Sequence, residues 1–365
     1  MTDDRRPTAL GCYIFAGGFT LGVREHFRVL THFEDGPYGV ETAVRNGLID
    51  FAFVDPASWP ADDYRGRVDF VYSNPPCAPW SRASEGRETP WQDDPRLDCV
   101  RRAFSLVESI RPRVWAWESV RRAWTHGRPL VEAVARRGAE LGYSCTVLLV
   151  EGSRHGVPQV RARLFVVLHR DAIEWEPAGA RRAVTVGDAL SKKFKERTLE
   201  EAPERYIDLL RRMAPGEIDI RQTFDRLYAE RIGAGERVRG RPSFMNRRLR
   251  ADRPSLVLTG SAKLFHPTED RHISVEESAA LCGYPPSFRF HGTVGKRYAQ
   301  VAQAVMPPVG EYLARMVARS LGGPRPRRSQ PPLFRTAEVL ADRVVTVDQR
   351  FETDASMRLS MTVEG

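Results

Sequence analysis

Six apolar runs of strand length, separated by helix-length amphipathic segments, predict an α/β protein built on a doubly wound, mostly parallel sheet. The runs are 12–16 (CYIFA), 50–54 (DFAFV), 68–72 (VDFVY), 113–117 (RVWAW), 145–150 (CTVLLV) and 163–168 (RLFVVL), with RVLTHF as a further strand before Glu34. Helices are expected over 96–110 and 128–141, where apolar residues recur at three- and four-residue spacing. In such sheets ligands bind beyond the carboxyl ends of the strands, so chemistry is expected in the loops that follow them.

After about residue 170 the alternation gives way to Arg-rich, turn-rich sequence up to about 245, which predicts a smaller, irregular domain. Order returns with LVLTG at 256–260 and an amphipathic stretch at 274–285, where Ser274 and Glu277 have the spacing of a capping box. A last helix is expected over roughly 298–320. Beyond it, 322–332 reads as a linker and 343–363 alternates like two short strands. The expected divisions are 1–170, 171–265, 266–321 and 322–365.

No apolar run reaches the roughly 18 residues of a membrane span. The segment MTDDRRPTAL carries acids and has no apolar stretch behind a basic one, so neither span nor signal is expected and a cytoplasmic location is. The five cysteines, Cys12, Cys77, Cys99, Cys145 and Cys282, show no CxxC spacing. Neither a disulfide framework nor a metal site is therefore expected. A net charge of +9 favours a polyanionic partner such as nucleic acid. Lysine occurs only at 192, 193, 195, 263 and 296, so the charge is carried by arginine, as a GC-rich genome would also produce.

The first strand runs into FAGGFTLG, where Phe15, Gly17 and Gly18 form a loop that can turn tightly beneath a ligand. It does not fit the dinucleotide pattern GxGxxG. Glu34 follows the second strand, where a carboxylate can accept two hydrogen bonds from a ribose diol. Asp55 closes the next strand and could meet an adenine amino group. For either acid the competing reading is a solvated loop carboxylate or a helix cap.

Residues 72–81, YSNPPCAPWS, admit two chemistries. Asn74-Pro75-Pro76 with Trp80 could hold and stack an exocyclic amino group, as amino-methyltransferases do. Alternatively Pro76 leads into Cys77 as a thiolate nucleophile, with nearby Arg82 lowering its pKa. Glu118 follows another strand and should reach the same sheet edge. A nucleophile beside a carboxylic acid is what addition to a pyrimidine ring requires, with the thiolate attacking carbon 6 and the acid at nitrogen 3. Arg161 and Arg163, two apart at the mouth of a strand, should point to one face and suit a phosphate or a pyrimidine carbonyl.

Taken together, FAGGFTLG, Glu34, Asp55, PPC at 75–77, Glu118-Ser119-Val120 and QVRAR at 159–163 resemble the DNA cytosine-5 methyltransferase family. RRLRADRPSLVLT at 247–259, EESAALCGYPPSF at 276–288 and YAQVAQAVMPP at 298–308 extend the resemblance over about 320 residues. The resemblance implies a class I methyltransferase-like fold with a cofactor-binding and catalytic part over 1–170 and 266–321, and a target-recognition region over 171–265. It implies S-adenosyl-L-methionine as cofactor, held by Phe15, Gly17, Gly18, Glu34, Asp55, Pro76 and Gln303. Cys77 becomes the nucleophile and Glu118 the holder of a flipped-out cytosine. Arg163 is placed near the base, and Arg161 steadies the backbone. Double-stranded DNA is the implied partner, bound by a monomer, as in a restriction-modification system.

Four features depart from the family pattern: a glycine loop two residues short, Asp35 after Glu34, Ser119 in place of Asn, and Ala302-Gln303 in place of Gly-Asn. Two of them fall at the implied methionine end of the cofactor, which opens the alternative of a modified S-adenosylmethionine delivering a group other than methyl. Further alternatives are a catalytically inactive DNA-binding relative and an RNA-modifying member of the same fold.

Overall fold

The computed structural model describes residues 5–80, 90–179, 182–191, 194, 196–322 and 333–349. Its strands are β1 (Thr8–Cys12), β2 (Arg28–Phe33), β3 (Ala52–Phe53), β4 (Phe70–Ser73), β5 (Val114–Ser119), β6 (Ser144–Glu151), β7 (Ala162–His169), β8 (Arg247–Arg248), β9 (Leu264–Phe265), β10 (Phe334–Val339) and β11 (Val344–Gln349). Nine of them form one sheet in the order β11-β10-β6-β7-β5-β4-β1-β2-β3. The pairs β1–β2, β1–β4, β2–β3, β4–β5 and β6–β10 are parallel, while β7 runs antiparallel to both β5 and β6 and β11 to β10. The expected mostly parallel α/β sheet is thus present, with β7 and the edge strand β11 reversed.

The chain divides into two compact units, one comprising Met1–His155, Ala162–Arg181 and Ala304–Gly365, the other Gly156–Arg161 and Arg182–Gln303. The return to the first unit therefore falls at Ala304 and not at 266. The reason is visible in the last predicted helix, which is two helices, Val294–Gln303 and Pro307–Leu321. Met306, the residue before Pro307, is extended (φ −64°, ψ 124°). Pro307 and Pro308 lack the N–H groups that a continuing helix would donate, so the chain restarts there with proline in its first turn.

The first unit carries the sheet. On one face the helices Leu97–Ile110 and Arg128–Glu140 bury Val100, Phe104, Val107, Leu130 and Val134 against Trp115 and Trp117 of β5. The other face carries Gly18–Val23 crossing Pro307–Leu321 so closely that a Cβ on Gly22 would lie 2.2 Å from the Glu311 backbone nitrogen. The first strand sits earlier than the predicted 12–16. Tyr13 and Phe15 adopt positive φ, 53° and 50°, which ends the extended backbone at Cys12.

Beyond the C-terminal linker, β10 precedes the predicted 343–363 span and pairs in parallel with the β6 edge, burying Phe334, Ala337 and Val339. The expected linker at 323–332 and the second strand expected beyond 349 lie outside the described residues.

The second unit is built differently. A two-stranded parallel pair, β8 with β9, joins short helices Glu204–Arg211 and Ile220–Leu227 over a small core of Leu209, Leu210, Ile220, Phe224 and Phe265. LVLTG at 256–260 forms no strand; the backbone next to it bridges Gln159 to Ser255. The capping box forms as the spacing predicts, with Ser274 Oγ accepting from Glu277 N–H and Glu277 Oε2 accepting from Ser274 N–H at 2.8 Å.

Candidate active site

β4 and β5 are parallel neighbours in register from Phe70↔Val114 to Ser73↔Trp117, so the loops after both emerge at the same sheet edge. The β4 loop begins at Asn74, whose N–H donates to Cys12 O at 3.0 Å, and continues through Pro75 and Pro76 to half-buried Cys77. Cys77 O accepts from Trp80 N–H at 3.1 Å, which closes a single 3-10 turn over Ala78–Trp80.

Glu118, at the end of β5, is buried and gripped from two sides. Arg163 Nε lies 2.8 Å from Oε1, with Glu118 3% and Arg163 11% exposed. Asn74 Nδ2 donates to Oε2. A carboxylate taken out of water needs such partners, since desolvation of an unpaired charge costs several kcal/mol. β7 supplies Arg163 because it runs antiparallel to β5, with Glu118 opposite Phe165.

A cation from outside its own loop lies within electrostatic reach of Cys77. Arg82, the cation expected beside it, lies outside the described residues. Arg96, at the start of Leu97–Ile110, is fixed by Asp94, with Nε 2.7 Å from Oδ1. Its guanidinium is held above its ordinary pKa chiefly by Asp94, with a smaller contribution from Cys77. That coupling brings a cation within electrostatic reach of the thiol, and an adjacent cation favours the thiolate. Only the three-dimensional approach of two loops reveals it.

Arg161 and Arg163 do not share a target, contrary to the expectation from their spacing. Arg163 serves Glu118, whereas Arg161, only 1% exposed, donates from Nη2 to Ala302 O at 2.6 Å within the second unit. Its Nη1 faces Cys282 Sγ at 3.9 Å. One residue separates the end of an irregular segment from a strand, so the two-residue periodicity does not apply across it. Gln303 closes the helix Val294–Gln303 and is exposed.

The glycine loop is shaped by Gly17, whose left-handed φ of 80° starts the helix Gly18–Val23. A Cβ there would also meet Leu48 Cδ1 at 2.4 Å. Glu34 lies beneath the loop at 3% exposure, accepting from Phe15 N–H and Gly36 N–H, both at 2.9 Å. Burial pushes its carboxyl up to about 8, opposed by the Gly36 and Phe15 hydrogen bonds. Each carboxylate oxygen can accept a second hydrogen bond, so the group fits a ribose diol as well as the loop it supports. Asp55 is exposed and caps the turn Pro56–Ser58 through Ala57 N–H at 3.0 Å. Trp80 is 2% exposed and packs on Trp91 and Trp117 at 5.9 and 5.8 Å. It is core, and the reading in which it stacks a base fails.

Residues 13–319 match the C-5 cytosine-specific DNA methylases, most of the chain and every element of this site. The chain belongs to that family. Within it, the chain is 27% identical over 332 residues to the type II methyltransferase M1.HphI of Haemophilus parahaemolyticus, covering 86% of this chain and 87% of the relative. It is 29% identical over 266 residues to M.Eco47II of Escherichia coli, covering 66% and 61%. The solved structure of the Entamoeba histolytica methyltransferase EhMeth shares the fold of this C-5 cytosine methylase. Its TM-score is 0.62 at 11% identity, over 87% of this chain and 99% of that one.

Proposed function

We propose that this DNA cytosine-5 methyltransferase works through a covalent adduct between Cys77 and carbon 6 of a cytosine flipped out of duplex DNA. The observation that carries the reading is Glu118, buried at the edge where the Cys77 loop emerges and held by Asn74 and Arg163. Attack by the Cys77 thiolate on carbon 6 pushes electron density toward ring nitrogen 3 and carbon 5. A proton shared between the Glu118 carboxyl and nitrogen 3 passes to that nitrogen and neutralises the density, and carbon 5 becomes the nucleophile. Once carbon 5 has gained the methyl group, loss of its proton and expulsion of the Cys77 thiolate restore the aromatic ring, and the nitrogen 3 proton returns to Glu118. Arg163 fixes the orientation of Glu118, and Arg96 on Asp94 favours the thiolate.

Phe15, Gly17, Gly18, Glu34 and Asp55 would hold S-adenosyl-L-methionine, which would supply the methyl group and leave as the neutral thioether. Pro76 completes the set within the first unit. The second unit carries the residues that read the DNA sequence, with phosphates met by exposed arginines such as Arg237 and Arg239. Relatives named type II methyltransferases support placing the enzyme in a restriction-modification pair.

The test is to express the protein in cells lacking cytosine methylation and sequence their DNA by a method that reports modified cytosines in context. Modified cytosine at one short recurring sequence is expected with the native protein and none with Cys77→Ser. The mass of the modified nucleoside decides between methyl and a larger transferred group. Adenine or exocyclic-amine modification, or full activity of Cys77→Ser, refutes the reading.

A further inference from the structure

The carboxamide of Asn74 has a half that the Cys77 mechanism leaves unused. Asn74 is 2% exposed and fixed at its main chain by Cys12 O. Its Nδ2 donates to Glu118 Oε2, while its Oδ1 is buried with no hydrogen-bond partner among the described residues. The orientation follows from chemistry, because an ionised carboxylate only accepts, so the amide must turn its NH2 to Glu118 and its carbonyl away. Leaving a buried carbonyl without a donor is costly, and such groups call for an explanation.

The substrate supplies one. The Watson–Crick edge of cytosine carries nitrogen 3 and, beside it, an amino group with two N–H bonds. Glu118 can meet nitrogen 3 through a shared proton and accept one of those N–H bonds. The second then falls to the neighbouring acceptor one amide width away, which is Asn74 Oδ1. Uracil would turn a carbonyl oxygen toward it instead, acceptor against acceptor.

We propose that Asn74 is a specificity-determining residue, its Oδ1 accepting the second amino N–H of the flipped cytosine while its Nδ2 holds Glu118. The assignment rests on the Cys77–Glu118 reading above. It gives the Asn-Pro-Pro segment the amine-holding part of its alternative chemistry within an enzyme that attacks carbon 6.

The experiment compares single-turnover methylation of two duplexes bearing the mapped recognition sequence, with cytosine or 2-pyrimidinone, which lacks the amino group, at the target. Native protein, Asn74→Ala and Asn74→Ser are each measured. Serine can still donate toward Glu118 but carries no carbonyl. The native protein is expected to prefer cytosine, and both variants to lose about tenfold of that preference. Equal rates of the native protein on the two bases overturn the proposal without any variant. A preference unchanged in the variants, with both rates falling together, overturns it and leaves Asn74 as a support for Glu118 only. A parallel duplex with 5-fluorocytosine separates the two readings. Failure to trap Cys77 in the native protein overturns the covalent mechanism and this assignment together, whereas trapping with an unchanged preference overturns this assignment alone.

Discussion

Glu118 draws its orientation from Arg163 and Asn74, and the consequences of removing either partner differ. Arg163→Ala leaves a carboxylate that is 3% exposed with one partner fewer. Breaking such a buried pair costs about 3–5 kcal/mol, so both Tm and kcat should fall. Chemical denaturation with single-turnover kinetics checks this, and Arg163→Lys should restore stability more fully than activity because it lacks the guanidinium fork.

Glu34 makes a different prediction. Its carboxyl is raised in the folded protein, so between about pH 4.5 and about pH 8 the folded state retains a proton the unfolded chain has lost. Stability from this group is full below that window and is lost as pH rises through it. Glu34→Gln should flatten the decline, measured as Tm against pH.

Among the secondary-structure elements, local signals decide where two of the helices begin. Ser274 caps Val275–Leu281 through Glu277, and Ser274→Ala should lower stability by about 1 kcal/mol, read from urea unfolding. Glu277 is also gripped by Arg271 at 2.7 and 2.8 Å, so its loss should cost more than loss of the cap. Two prolines break what apolar periodicity alone would join into one helix over 298–320. In both cases the deciding residues lie within a few positions of the feature they set, which is why the box was legible and the break could have been. β8, β9 and β10 were not legible. β8 and β9 are two residues each, too short to show a period, and β10 joins the sheet against β6, far back along the chain.

For the molecule entire, the C-terminal hairpin is the clearest case of structure added from a distance. Phe334, Ala337 and Val339 are buried, so truncation after Gly322 should destabilise the protein by about 3–5 kcal/mol, seen as a lower denaturation midpoint. The charge of the second unit is more finely distributed than the net +9 suggests. Arg226, Arg231, Arg241, Arg248 and Arg250 are each paired with a carboxylate, whereas Arg237 and Arg239 are exposed with no ion pair among the described residues. Substituting those two by Ala should weaken DNA binding and reduce the slope of log K against log salt by about 1 for each phosphate no longer neutralised. An unchanged slope removes them from the DNA interface.

The sequence by itself determined the alternation of strands and helices through about residue 170, because hydrophobic period is a property of neighbours along the chain. It also determined which loops hold Cys77, Glu34 and Glu118, because those loops end strands whose length and periodicity are local. Tertiary structure alone decided what each group meets. It gave Glu118 to Arg163 and Asn74, turned Arg161 onto Ala302, sank Trp80 into the core and brought Arg96 within electrostatic reach of Cys77. Those pairings depend on which strands lie side by side and on which buried charge most needs a partner. Neither is written in the spacing of residues along one segment.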